Sequence, residues 1–384
     1  MVSSSTEAPS SFRIPLVDLT TTSREIQPAL DAVWAELSSS SAFIGGEYVE
    51  RFEEEWARYC GTRHAVGLAN GTDALELSLR ALEIGPGYEV IIPTNTFVAT
   101  VEAVVLAGAI PRLVDVDDDT LLLTPETVRA ALSERSAAVI PVHLYGAMPD
   151  MDGLKELCRD RGLVLIEDAA QAHGASWSGR RAGSIGHVGS FSFYPAKNLG
   201  GFGDAGAIVT DDGGLADRVR QLGNHGRPRG APHVHSMIAR NSRLDALQAG
   251  VLSEKLRRLD QWNSRRRALM EVYRSHLPSN GVRMVGVHPR CEPVYHQNVV
   301  RVRHREDARS VLEQLGIETG VHYPIPCHLQ EPYRQYVSEP LPVSERAARE
   351  VLSLPLFPHM TMGHVDRVVA GLRHALEAID GTDH

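Results

Sequence analysis

Short apolar runs recur from about residue 60 to residue 215, with amphipathic stretches between them. A strand with one wet face alternates apolar and polar residues, whereas several of these runs are apolar almost throughout and must be covered on both sides. Strand, loop and helix therefore repeat, which is the pattern of a mostly parallel sheet with helices packed on it, and the fold class is α/β. The expected strands are His64–Ala69, Glu89–Pro93, Pro111–Val116, Ala137–Val142, Leu163–Glu167, Val188–Tyr194 and Gly206–Thr210. Helices are expected over Asp73–Leu82 and Asp150–Arg161, where apolar residues fall at helical spacing. Asn70 or Thr72 would cap the first, and Asp150 or Asp152 the second.

Beyond this region, Asn241 to about Leu277 is charged and strongly helical, suited to a long connecting helix. At 384 residues the chain exceeds the size at which one core keeps growing, so two units are expected. The division is placed in that helix. Residues 1–250 form the large unit, with 1–12 as a loose Ser-rich tail, and residues 251–384 form the connecting helix and a smaller α/β unit. The latter mixes a strand-like run, Pro293–Val302, with helical runs, Glu306–Gly316 and Ser344–Leu352.

A net charge of −9 argues against nucleic acid held in a general positive field, so any anion must be bound locally. No apolar run approaches the roughly 18 residues of a membrane span, and the first residues lack the basic start and apolar stretch of a secretory signal. Cys60, Cys158, Cys291 and Cys327 lie far apart without a CxxC pair, which fits reduced thiols in a cytoplasmic protein. His225, His233 and His235 share a loop but lack a supporting ligand set, and no metal is assigned.

The residues that carry chemistry cluster at expected strand ends. In VLIEDAAQAHGA, Asp168 and Gln171 follow a strand and would project from its C-terminal end, the ligand edge of a parallel sheet. Taken alone, such an aspartate is as readily a helix cap. In GSFSFYPAKNLGGFGDAGAIVT, a second strand ends at Ser192, Phe193 and Tyr194, and Lys197 lies in the glycine-dense loop that follows. A loop lysine is usually solvated, but the small residues here permit close approach of a cofactor. Gly201, Gly203 and Gly206 have G-x-G-x-x-G spacing, yet a strand rather than a helix follows them, which excludes a dinucleotide fingerprint. In ANGTDALELSLRAL, Gly71 and Thr72 open a helix, where free N–H groups favour a phosphate, although any capped helix looks similar. In PTNTFVAT, Phe97 follows a strand and would offer a flat ring to an aromatic cofactor or pack in the core.

Taken in order, GTDAL, PTNTFVAT, EDAAQAHGA, SFYPAKNLGGFGDAG, NSRLDALQA, HYPIPCHLQ and LPLFPHMT make the chain resemble the sugar aminotransferases of the DegT/DnrJ/EryC1/StrS family over nearly its whole length. The opening IPLVDL and FIGGEYVERFEEEWARYCG segments are similar to that family too. The resemblance implies an aspartate-aminotransferase-like fold, fold type I, with a seven-stranded large domain, binding pyridoxal 5'-phosphate in a homodimer with shared active sites. Lys197 matches the Schiff-base lysine, Asp168 the partner of the pyridine nitrogen, Gln171 the neighbour of the ring hydroxyl and Phe97 the stacking ring. Gly71, Thr72 and Ser192 match the phosphate cradle, to which Asn241 would be added from the neighbouring subunit. Tyr194, His322 and Tyr323 match positions lining the sugar pocket, with packing between domains as the competing reading. The resemblance also implies L-glutamate as donor, the pyridoxamine 5'-phosphate form as carrier and a nucleotide-linked keto sugar as acceptor. The GDAG loop, Gly203–Gly206, and HYPIPCHLQ lean toward amination at C-3 of a dTDP-linked deoxyhexose rather than C-4. Lys197 argues against the related dehydratases, which carry histidine there, and the intact polar set argues against a non-catalytic regulator that binds the cofactor without turnover.

Overall fold

The computed structural model describes residues 13–380 except 232 and 338, so the expected loose tail at 1–12 lies outside the described residues. A seven-stranded sheet forms its centre. In order across the sheet the strands are His64–Leu68, Gly206–Thr210, Val188–Ser192, Val164–Asp168, Ser136–Val139, Glu89–Pro93 and Ile110–Val114. Gly206–Thr210 runs antiparallel to both its neighbours, and every other adjacent pair is parallel. Each strand overlaps an apolar run of the sequence. Glu89–Pro93 and Gly206–Thr210 are buried at every position, as continuous apolarity requires.

Parallel pairing brings the C-terminal ends of six strands to one edge. Gly206–Thr210, running the other way, begins at that edge, with Gly206 opposite both Leu68 and Ser192. Gly206 therefore opens a strand, which is why the glycine spacing in this loop makes no dinucleotide site. Asn70, not Thr72, caps the helix Gly71–Ala81, its Oδ1 accepting from Asp73 N–H at 2.8 Å. Asp150, not Asp152, caps Met151–Arg161 in the same way.

A smaller antiparallel sheet orders Val282–Met284, Asn298–Val302 and Val351–Leu354. The long helix spans Ala246–His276, starting later than its charge pattern suggests. Asn241 and Asp245 are taken by bridges to Asn224 and Ile44, so the helix begins only beyond them. The expected helix Ser344–Leu352 stops at Glu350, because Val351–Leu354 pairs with Asn298–Val302. Ile14 bridges to Ile317 and packs in the core of the smaller sheet with Val300 and Leu352. We propose the division at residue 250, with this N-terminal strap crossing it. All four cysteines are buried thiols, and no described helix is long and apolar enough to cross a membrane.

Candidate active site

Beneath the shared strand edge lies an aromatic floor. Trp56, from the helix Glu47–Cys60, meets Phe191 and Phe193 edge-on at 4.9 and 5.4 Å between ring centroids, and His173 tilts against both phenylalanines. These residues anchor the strand Val188–Ser192 and the turn after it. Lys197 follows, its N–H donating to Tyr194 O at 2.8 Å, and the loop returns to Phe193 O through Gly201 N–H. Lys255 Nζ donates to Gly200 O at 2.6 Å and Gln248 Oε1 accepts from Phe202 N–H, so the long helix fastens the far side of this loop. Asn198 adds a buried tie, donating to Asn263 Oδ1 and Val294 O.

The lysine in this loop is half-buried, and desolvation depresses its pKa to about 8, with Asp168 pulling back toward the charged form. Asp168 is the last residue of its strand and is buried. Burial pushes its carboxyl above the usual range; the Thr100 hydroxyl, donating to Oδ2 at 2.8 Å, and Ala170 N–H oppose that. The imidazoles nearby are held neutral. Burial first, then Lys197, brings His173 down to about 3 and His322 to about 4.

The other candidates join this centre on either flank. Gln171 is buried, its Oε1 accepting from Tyr145 N–H at 2.7 Å while its Nε2 donates to Tyr323 OH at 3.2 Å. The Tyr323 ring lies 5.6 Å from that of Phe97, which is 51% exposed and so leaves a face uncovered rather than packing in the core. His322 Nδ1 is paired with Ser353 Oγ at 2.8 Å, and Tyr194 is exposed at 55%. On the opposite flank, Ser192 touches the helix Gly71–Ala81, where a Cβ on Gly71 would fall 2.6 Å from Ser192 Cβ. Gly71 and Thr72 supply the first N–H groups of that helix, which have no carbonyl within it to reach.

Asn241 stands apart from these groups. Arg240 beside it grips Asp73 and Glu76 at 2.9 and 2.5 Å, and Ser242 Oγ accepts from Ala69 N–H, but Asn241 itself is exposed. Sequence reading missed Thr100, Tyr145, His173 and Asn198. Thr100 and His173 lie within the quoted PTNTFVAT and EDAAQAHGA segments, whereas nothing in the sequence marks Tyr145.

Pyridoxal phosphate fits this donor set. Asp168 is a desolvated carboxylate short of a full counter-ion, the environment that a protonated ring nitrogen relieves. The helix N-terminus with Ser192 suits a phosphate, Lys197 is a depressed amine within electrostatic reach of Asp168, and Phe97 offers a free ring face. The family model for the DegT/DnrJ/EryC1/StrS aminotransferase family matches residues 24–373. The chain belongs to that family. This aminotransferase is similar to dTDP-3-amino-3,4,6-trideoxy-alpha-D-glucose transaminase of Streptomyces venezuelae, 44% identical over 382 residues, covering 99% of this chain and 100% of that protein. Among solved structures, S. venezuelae DesV in complex with a ketimine intermediate matches at TM-score 0.92 and 45% identity, covering 95% of this chain and 99% of the other. NtdA from Bacillus subtilis, with bound cofactor PMP, matches at TM-score 0.89 and 31% identity, covering 95% and 86%. The aminotransferase is a pyridoxal-phosphate enzyme with the α/β architecture that its sequence motifs imply.

The tight approach of helix to strand makes a test of the phosphate side. Gly71→Ala must push the helix N-terminus off Ser192, at an overpacking cost of about 1–3 kcal/mol. Titration of the apoenzyme with pyridoxal phosphate is expected to show affinity lower by roughly tenfold or more. Unchanged affinity would place the phosphate elsewhere.

Proposed function

We propose that this aminotransferase moves an amino group from L-glutamate to C-3 of a dTDP-linked 3-keto-6-deoxyhexose, acting in the cytoplasm as a homodimer with shared active sites, in the making of a deoxyamino sugar for an antibiotic or similar product. The observation that carries the reading is the convergence, at one strand edge, of Lys197 and Asp168 with the polar aromatic surface of His322, Tyr323 and Tyr194. That surface suits a sugar, which offers hydroxyls to phenols and imidazoles and apolar C–H faces to rings. The 3-amino sugar in the name of the S. venezuelae relative supports the position aminated.

Bound pyridoxal phosphate supplies an electron sink for the pair left when a carbon beside the transferred nitrogen loses its proton. The chain's own groups do the rest. Lys197 Nζ takes the proton from the donor's α-carbon, and in the second half-reaction it delivers a proton to C-3 of the sugar. Its pKa near 8 leaves a working fraction of neutral amine at mildly alkaline pH. With the cofactor bound, Asp168 would hold positive charge at the ring nitrogen, Gln171 would direct an N–H at the ring oxygen, and Phe97 would offer its exposed face to the ring. Gly71, Thr72 and Ser192 would hold the phosphate, and Asn241 would add a contact to the phosphate of the partner subunit's site. Exposed Phe43, Ile44 and Phe202 gather at the start of the long helix, beside the Lys197 loop, as an apolar surface for a second copy to cover.

Purified holoenzyme given L-glutamate and either the 3-keto or the 4-keto dTDP-6-deoxyhexose separates the readings. An amino product from the 3-keto sugar is expected; turnover of the 4-keto sugar alone would reassign the position. Sharing of sites has its own test. Neither Lys197→Ala nor Asn241→Ala homodimers should be fully active, but a mixed dimer carries one complete site if Asn241 acts across the interface. Recovery of activity on mixing is therefore expected, whereas no recovery would confine Asn241 to its own subunit.

A further inference from the structure

Tyr145 follows the strand Ser136–Val139 in a turn where its φ is +60°, a left-handed conformation that a bulky residue keeps only when its surroundings hold it. Three contacts hold it here. Its backbone N–H donates to Gln171 Oε1 at 2.7 Å, and its phenol donates to the carbonyl of His322. The next residue, Gly146, accepts from Val294 N–H and lies so close to the following segment that a Cβ would meet His296 N at 2.8 Å. The phenol is buried, and burial raises its pKa, so the hydroxyl stays protonated and donates to an acceptor that has nothing to give in return.

The two bonds do different work. A backbone N–H can only donate, so it fixes Gln171 with Oε1 toward Tyr145 and the NH2 group away. One of those N–H groups goes to Tyr323 OH, and the other is left as a donor. Reversing the amide would set two donors against each other. Through its hydroxyl, the same tyrosine holds the backbone immediately before Tyr323, so the ring that meets Gln171 and Phe97 is fixed from behind.

We propose that Tyr145 is a positioning residue for the sugar half-reaction, holding the His322–Tyr323 segment against the cofactor-facing residues through its hydroxyl. This rests on the reading that His322 and Tyr323 face the keto sugar. Tyr145→Phe keeps the ring, the turn and the N–H to Gln171, and removes the hydroxyl with its bond to the His322 carbonyl and its contact with the Asn95 side chain.

In single-turnover absorption experiments on holoenzyme, the Tyr145→Phe variant is expected to retain the L-glutamate half-reaction and pyridoxal phosphate affinity within about twofold. Its kcat/KM for the dTDP-linked 3-keto sugar should fall about 10- to 100-fold, the scale of a misplaced contact group. Hydrogen exchange of the apoenzyme should quicken at His322 and Tyr323, which reads the tether without any substrate. Equal losses in both half-reactions with a lower Tm would make Tyr145 a structural residue only, and no change in the sugar half-reaction would overturn the proposal outright. His322→Ala and Tyr323→Phe run alongside. If neither alters the sugar half-reaction, the substrate reading fails and this proposal with it; if they lower it and Tyr145→Phe does not, only this proposal fails.

Discussion

Replacing Lys197 with alanine should lower amino transfer by at least about 10,000-fold, the combined loss of a covalent anchor and a positioned base. The absorption band of covalently held cofactor should vanish with it. No neighbour is placed to substitute. His173 and His322 have pKa values near 3 and 4, so they are neutral and weakly basic, and His322 is engaged with Ser353. Lys255 is another lysine with a pKa near 8, but its amine is buried, bonded to Gly200 O, and lies 4.6 Å from the centre of the Phe202 ring. The check is a spectrum of the reconstituted variant alongside single-turnover rates with L-glutamate. A small primary amine added to the buffer should restore part of the proton transfer. Retention of the band would mean that another amine, Lys255 first, holds the cofactor.

The parts of this fold legible in the sequence are those whose burial is symmetric. A strand covered on both faces is written as a continuous apolar run, as Glu89–Pro93 and Gly206–Thr210 are, whereas the edge strand Ile110–Val114 carries an exposed Arg112 and shows only its short apolar pairs. The errors fall where a distant partner overrides local preference. RLDAL reads as helix, yet Asn241 and Asp245 are held by bridges to residues 224 and 44; Val351 continues a helical pattern, yet a neighbouring strand claims it. The site divides in the same way. Asp168 and Lys197 stand out because their segments combine a strand end with small residues, a local pattern. Thr100 acts on a carboxylate 68 residues away, and Tyr145 on a carbonyl 177 residues away, so their roles exist only after folding. Asn241 shows a further limit, since its side chain is exposed and its proposed role would exist only when a second chain meets it.

Asp168→Asn should cost roughly 100- to 1,000-fold in amino transfer while leaving the fold intact, the scale of losing one aimed electrostatic group in a closed site. The amide keeps the size of the side chain, a carbonyl oxygen to accept from Ala170 N–H and an NH2 group that can donate to the Thr100 hydroxyl, but it cannot hold a positive charge at the ring nitrogen. Without that charge the ring draws electrons poorly, and proton abstraction from the donor's α-carbon slows. Stability should move the other way. Burial raises the Asp168 pKa above its unfolded value, so the folded state binds this proton more tightly than the unfolded chain. That contribution is complete below the unfolded pKa and is lost as pH rises through the raised folded one, so at neutral pH the ionised carboxylate is a net cost in the cofactor-free protein. Asparagine removes the cost. The Tm of the variant apoenzyme at neutral pH should therefore be no lower than wild type, while the gain in Tm on adding pyridoxal phosphate should shrink, because the ring nitrogen no longer meets a carboxylate. Paired melting curves with and without cofactor decide it. A variant that melts early in both states would mean that the carboxylate serves folding, and that the slow turnover reflects a damaged protein rather than a missing charge.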